Sequence, residues 1–196
     1  MWATGWNEYG QLGDGSITDW MNYTQVVSSG AKNVAAGRRH TMMLKQDGSV
    51  WSTGHNLYGQ LGDDSIVDRM NYTQVVSSGV KGVTAGSRHS MILKQDGSVW
   101  ATGNNKCGQL GTEWASNRIA FVEVISVGAK AIAAGACHSM VLKQDGSIWA
   151  TGSNVDGQLG DGLTASTNAF AKLPQFENGS RHNHTHTGHL YYPAIT

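Results

Sequence analysis

One spacing constrains this chain more than anything else in it. Leu44-Lys45-Gln46-Asp47-Gly48 returns at 93–97 and again at 142–146, a step of 49 residues each time. Gly10-Gln11-Leu12-Gly13 returns at 59, 108 and 157 with the same step, and residues 21–30 are repeated without change at 70–79. A fixed period means one structural unit per period, each unable to bury its apolar faces without a neighbour. Cutting the chain on this period gives a partial unit at 1–30, whole units at 31–79, 80–128 and 129–177, and a tail at 178–196.

Inside each unit the apolar pattern has the period of strands. His40, Met42 and Leu44 alternate with Thr41, Met43 and Lys45. Gln46-Asp47-Gly48-Ser49 then supplies a tight turn, and Val50-Trp51-Ser52-Thr53 runs back, which predicts a β-hairpin. Val34-Ala35-Ala36-Gly37 before it and Tyr72-Thr73-Gln74-Val75-Val76 after it bring the count to four short strands. The expected fold is therefore all-β: propeller blades of four antiparallel strands, arranged as a partial, arc-like propeller.

Residues that recur in every unit read first as scaffold. Trp2, Trp51, Trp100 and Trp149 are expected in the core between blades. His40, His89 and His138 recur where a catalytic base would be needed only once, so they are expected to hydrogen-bond between blades. Asn7 with its copies, and Gln11 with its copies, read as loop architecture that ties turn to strand. No nucleophile, base and oxyanion donor converge in any unit, so the chain is read as no enzyme and as needing no cofactor.

The unit Ala-Gly-x-x-His-Ser/Thr-Met-x-Leu-Lys-Gln-Asp-Gly-Ser, followed by Trp-x-Thr-Gly-x-Asn-x-x-Gly-Gln-Leu-Gly, resembles the repeat of the regulator of chromosome condensation family. The resemblance covers residues 1–173. It implies a propeller in which seven repeats normally close a ring. It also implies a range of roles: guanine-nucleotide exchange, adaptor modules of ubiquitin ligases, a plant ultraviolet-B photoreceptor, and inhibition of bacterial β-lactamases. The photoreceptor's tryptophans before the repeat histidine are replaced here by Arg38-Arg39, Ser87-Arg88 and Ala136-Cys137. Constant 49-residue units leave no room for the wedge hairpin of the exchange factor for the nuclear transport GTPase.

In a repeat protein the varying positions are the ones free to meet a partner. Three such patches stand out: the pairs just quoted; residues 6–9, 55–58, 104–107 and 153–156; and the long loops 14–20, 63–69, 112–118 and 161–167. From them Arg38, Arg39, Trp20, Arg69, Arg88, Trp114 and Arg118 are singled out as partner-binding, because Trp and Arg dominate interface hot spots. The expected function is binding of a protein partner through these blade loops, a small GTPase or a ubiquitin-pathway component among the classes considered. Exchange on a small GTPase is the alternative.

Charge and composition narrow the partner classes further. The chain carries 14 Lys+Arg and 14 Asp+Glu, scattered and cancelling, which argues against nucleic acid or an anionic membrane as partner. No stretch approaches the roughly 18 apolar residues of a membrane span. Residues 1–8 hold neither a basic segment nor an apolar block, so a cytoplasmic or nuclear location is expected. Without an export signal the Asn-x-Ser/Thr triplets at Asn22, Asn71, Asn178 and Asn183 are not read as glycosylated. Cys107 and Cys137 are read as free thiols, and Gly-Asp-Gly at 13–15 and 160–162 as turns without a calcium loop's ligand series. His182, His184, His186 and His189 in the tail form a polar extension with at most weak metal affinity, so no metal site is assigned. A metal-dependent hydrolase built on them is the rival from another class. Three and a half units leave two uncovered faces, so the chain is expected to be a segment of a longer propeller or to self-associate through its open edges.

Overall fold

The computed structural model describes residues 1–174, built there from antiparallel strands. The histidine-rich extension at 178–196 lies outside the described residues. β1 (Trp2–Gly5) pairs with β2 (Trp20–Gln25) in a two-stranded sheet. The next unit is a four-stranded meander of β3 (Ala31–Ala36), β4 (His40–Lys45), β5 (Val50–Gly54) and β6 (Arg69–Val76). It is followed by β7 (Val80–Ala85), β8 (His89–Lys94), β9 (Val99–Gly103) and β10 (Arg118–Ile125). The last is β11 (Ala129–Ala134), β12 (His138–Lys143), β13 (Ile148–Gly152) and β14 (Thr167–Lys172). Each sheet keeps chain order, β7 touches both β3 and β11, and the result is an open arc of propeller blades.

The central hairpin forms because its turn satisfies itself. Asp47 Oδ1 accepts from Ser49 N at 2.9 Å and from Ser49 Oγ at 2.6 Å, while Gly48 takes φ +81°. Strands β4 and β5 then present apolar side chains to the neighbouring sheet. Met42, Leu44 and Val50 pack against Val80, Val83 and Ile92 of the next blade; Met91, Leu93, Val99 and Ala101 pack against Ala129 and Val141 of the one after. The core thus lies between blades, and each fully buried Met or Leu there contributes about 2 kcal/mol.

The Gly-Gln-Leu-Gly loop is the second element that only a neighbour completes. Asn7 Oδ1 accepts from Leu12 N at 2.9 Å, its Nδ2 donates to Ser16 O at 3.1 Å, and the turn is held. Gly10 and Gly13 take φ +74° and +76° and lie flat on β6 of the following blade. A Cβ on Gly10 would come within 2.5 Å of Met70 Cα, and one on Gly13 would overlap the Tyr72 ring. The same contact recurs with Gly59 and Gly62 over Ile119 and Phe121, and with Gly108 and Gly111 over Asn168 and Phe170. Bridges Asp14–Asn71, Asp63–Ala120 and Thr112–Ala169 extend each junction.

One expectation needs correction. The recurrent tryptophans are not deep core: Trp51, Trp100 and Trp149 are half-buried, and Trp2 is 60% exposed. Each of the first three keeps its indole N–H on a serine of its own turn, as Trp51 Nε1 does on Ser49 Oγ at 3.0 Å. Their faces are covered by lysine ammonium groups, with Lys45, Lys94 and Lys143 Nζ at 4.0, 3.7 and 4.6 Å from the ring centroids. A large ring with one polar atom is stable at a blade's wet edge, and the flexible methionines fill the interior. At the two ends of the arc the junction surfaces are open among the described residues: Tyr23, at the position of Tyr72, is 73% exposed, and no described residue covers Gly157 or Gly160.

Tyr72 carries a cost that its counterparts avoid. Its hydroxyl is buried with no partner and burial holds it protonated, whereas the equivalent positions are Phe121 and Phe170. Tyr72→Phe is expected to raise stability by about 1 kcal/mol in urea denaturation; a lower midpoint would show that the hydroxyl is satisfied after all.

Candidate functional site

Because the strands alternate in direction, the β3–β4 turn and the β5–β6 loop open at the same end of a blade, and the same holds in every unit. All seven residues singled out from the sequence lie at that end. Under it runs a repeated buried relay. His40 Nε2 is 2.9 Å from Ser90 Oγ of the next blade, and Ser90 Oγ donates to Gln60 O at 2.7 Å. The hydroxyl has one proton and the carbonyl takes it, so His40 must carry hydrogen on Nε2. His89, Ser139 and Gln109 repeat the arrangement at 3.0 and 2.7 Å. Burial, and then the neighbouring histidines, push His40 down to about 3; burial and His138 push His89 down to about 4. These are the interblade hydrogen bonds expected of them, made by neutral imidazoles.

At the surface above, the first two variable patches merge into one. Arg39 Nη1 donates to Tyr9 OH at 3.2 Å, with its guanidinium 4.9 Å from the Tyr9 ring and 5.4 Å from Trp6. Arg88 stands 5.0 Å from the Tyr58 ring. Trp6, Tyr9, His55 and Tyr58 run on as an aromatic ladder, with centroids 5.6, 4.8 and 6.2 Å apart. Gln60 Nε2 donates to His55 Nδ1 at 2.7 Å while its Oε1 accepts from Tyr58 N, so Gln60 does join loop to strand end. Burial lowers the His55 pKa against the opposing charge of Asp68, and Arg39 and Arg88 lower it further. Nearer the inner strands, Gly37, Arg38, Gly86, Ser87, Gly135 and Ala136 line an open pit of about 420 Å³, with Arg38 exposed at its rim.

The long loops divide. Trp20 Nε1 donates to Asp14 at 2.6 Å and Arg69 Nε to Asp63 at 2.7 Å, so both are held inside their own loops. Burial works to raise the pKa of Asp14 and Asp63, but hydrogen bonds from Trp20 and Arg69, with help from Ser and Asn neighbours, leave both lowered. In the third loop Thr112 replaces that aspartate. Arg118 Nε is then buried without a partner, and Trp114 stands 69% exposed. The ladder residues Trp6, Tyr9, His55 and Tyr58 fall in the second variable patch but are not among the seven residues singled out as partner-binding. Their signal was the 30-residue offset shared by Tyr9 with Arg39 and Tyr58 with Arg88, the same offset that joins Gln60 to Ser90.

Comparison with known proteins addresses the fold directly. Models of the Regulator of chromosome condensation (RCC1) repeat match residues 31–60, 80–109 and 129–158, and a second such model matches 47–93. The chain belongs to the RCC1 repeat family. Among solved structures, yeast RCC1 (Prp20) bound to Kap60 is similar at 21% identity and a TM-score of 0.79, over 89% of this chain and 44% of that one. Prp20p from Saccharomyces cerevisiae, described with its binding to Gsp1p and histones, gives 21% and 0.78 over 89% and 46%. Human WBSCR16 gives 22% and 0.78 over 88% and 48%. At these identities the likeness establishes an RCC1 fold, and this chain spans just under half the length of each. No curated protein matches the sequence.

The neutral histidines set a pH dependence. An unfolded chain titrates them near the ordinary value of 6.5, whereas His40 and His89 resist protons until about 3 and 4, so below 6.5 the unfolded state binds more protons. Their contribution is complete above 6.5 and is lost as pH falls, at up to about 1.4 kcal/mol per pH unit for each histidine. Asp47, Asp96 and Asp145, held low by their serines, affect stability only below about the ordinary carboxyl value of 3.8. The denaturation midpoint is expected to fall steadily between about pH 6.5 and 4.5; a flat profile across that range would mean that the imidazoles are charged in the fold.

Proposed function

We propose that this chain is a protein-binding RCC1 repeat module whose partner docks on the blade end that carries Arg38, Arg88 and Trp114. The observation that carries the reading is the difference among the long loops. Trp20 and Arg69 are engaged by Asp14 and Asp63, whereas in the third loop, which lacks that acid, Arg118 of the same register has no partner on Nε. Trp114, at the position of Ser16 and Ser65, projects at the blade end where Arg38 and Arg88 are also exposed. Exposed Trp and Arg at one end of a rigid scaffold are the composition of an interface centre. With a partner in hand, Trp114→Ala, Arg38→Ala and Arg88→Ala should each weaken binding about tenfold, that is by about 1.4 kcal/mol. Trp20→Ala and Arg69→Ala should instead lower stability. Unchanged affinity in all three of the first set would remove this face.

A second reading is guanine-nucleotide exchange on a small GTPase, favoured by the similarity to Prp20p, whose structure is described together with its binding to Gsp1p. Exchange works by protein contact and needs none of the chain's side chains as a covalent catalyst. The test is release of fluorescent GDP from small GTPases of the same organism. Acceleration that Trp114→Ala or Arg88→Ala abolishes supports exchange through this face, and release at the intrinsic rate at micromolar chain discards the second reading.

A further inference from the structure

The blade junctions differ at several positions, and at one facing pair both members change together. At the first junction Tyr9 meets Arg39, and at the second Tyr58 meets Arg88, each a loop residue of one blade against the β-turn residue of the next. At the third, 49 residues on, both members change together: the positions hold Cys107 and Cys137. Both are half-buried and both are free, and they occupy the two positions that meet at each of the other junctions. The two backbones are anchored where they approach. Ser153 N donates to Cys137 O at 2.8 Å, and Cys107 N to Gln109 Oε1 at 3.0 Å. Two anchored segments therefore place two thiols at facing positions across a blade boundary, where the other junctions hold a cation on an aromatic ring.

We propose that Cys107 and Cys137 form a reversible modification site, a disulfide staple between the second and third whole blades, closed by exchange with a low-molecular-weight disulfide such as oxidised glutathione. One cysteine thiolate attacks the glutathione disulfide and expels one glutathione thiolate, leaving a mixed disulfide on the chain. The other cysteine loses its proton to solvent and attacks the protein sulfur of that mixed disulfide, expelling the second glutathione. The two cysteines give up two electrons and two protons in all, and one glutathione disulfide is reduced to two thiols. Burial pushes the Cys137 thiol up, the neighbouring Cys107 adds to this, and the Arg88 charge opposes both. The pair therefore rests as thiols until a disulfide reagent reaches it, and the closed loop contains the whole of the long loop that carries Trp114.

The experiment uses the full chain equilibrated in glutathione buffers of increasing oxidation. Expected are loss of both free thiols together, a single peptide linking residues 107 and 137 in a non-reducing digest, and a higher urea midpoint that returns to its starting value on reduction. Cys107→Ser and Cys137→Ser should each leave one thiol, which accumulates as the glutathione adduct without a rise in midpoint. The double variant Cys107→Tyr, Cys137→Arg restores the pair found at the other junctions; it should fold with the midpoint of the reduced chain and show no response to redox buffer. Separate glutathione adducts at both cysteines, disulfide-linked dimers as the main product, or an oxidised chain with an unchanged or lower midpoint would overturn the proposal.

Discussion

No blade of this protein is finished by its own residues. A glycine backbone laid flat on the next blade's outer strand, and a histidine proton given to the next blade's serine, close the first two whole units from outside. Both contacts tolerate almost no change. A Cβ on the glycine collides with the facing strand or ring, and loss of the serine would leave a buried N–H with no acceptor. The spacing of the chain follows from this requirement, because a loop that must land on the following blade cannot drift in length without carrying every later blade out of register. Constancy of the 49-residue step is thus a packing constraint before it is a sign of ancestry.

The same constraint explains why function had to move to the few positions that the junctions leave free. Once Asn7, Gln11, His40 and their copies are committed to turns and relays, the remaining freedom at the loop end lies in the residue before each histidine, the pair preceding Gly-Gln-Leu-Gly, and the long loop. Those positions meet in space because the meander brings its first turn and its last loop to the same end. The arginines of one turn lie on the aromatic rings of the preceding blade's loop, so the surface offered to a partner is assembled two blades at a time. In the third long loop threonine stands in place of aspartate and leaves Arg118 Nε without its partner, while Trp114, where the first two loops have serine, stands exposed.

Much of this was legible in the sequence, and the parts that were not have physical reasons. Period 2 and the Asp-Gly turn suffice for the hairpin, since both act within a few residues, and three copies of His40 suffice to reject a catalytic base. The tryptophans misled because burial was judged from ring area alone. A lysine six residues earlier, paired diagonally across the hairpin, covers the ring and keeps it at the edge, and hydrophobicity carries no trace of that. The ladder residues stood out as a variable patch, but their pairing with Arg39 and Arg88 did not: the partners are 30 residues apart, an offset that belongs to the joint between two units, whereas the period of 49 describes only the units themselves.

The near-identity of the units has a consequence for how the chain reaches its fold. Residues 21–30 and 70–79 are the same ten residues, and the three hairpins offer almost interchangeable faces to a collapsing chain. A blade that docks one place too far along makes nearly the native contacts and pays chiefly the entropy of a longer closed loop, so kinetic traps of this kind lie close in energy to the correct arc. What distinguishes the right order of assembly is the small set of junction pairs that are not alike. Two cysteines at one boundary, and rings meeting guanidinium groups at the others, label the order in which the pieces belong.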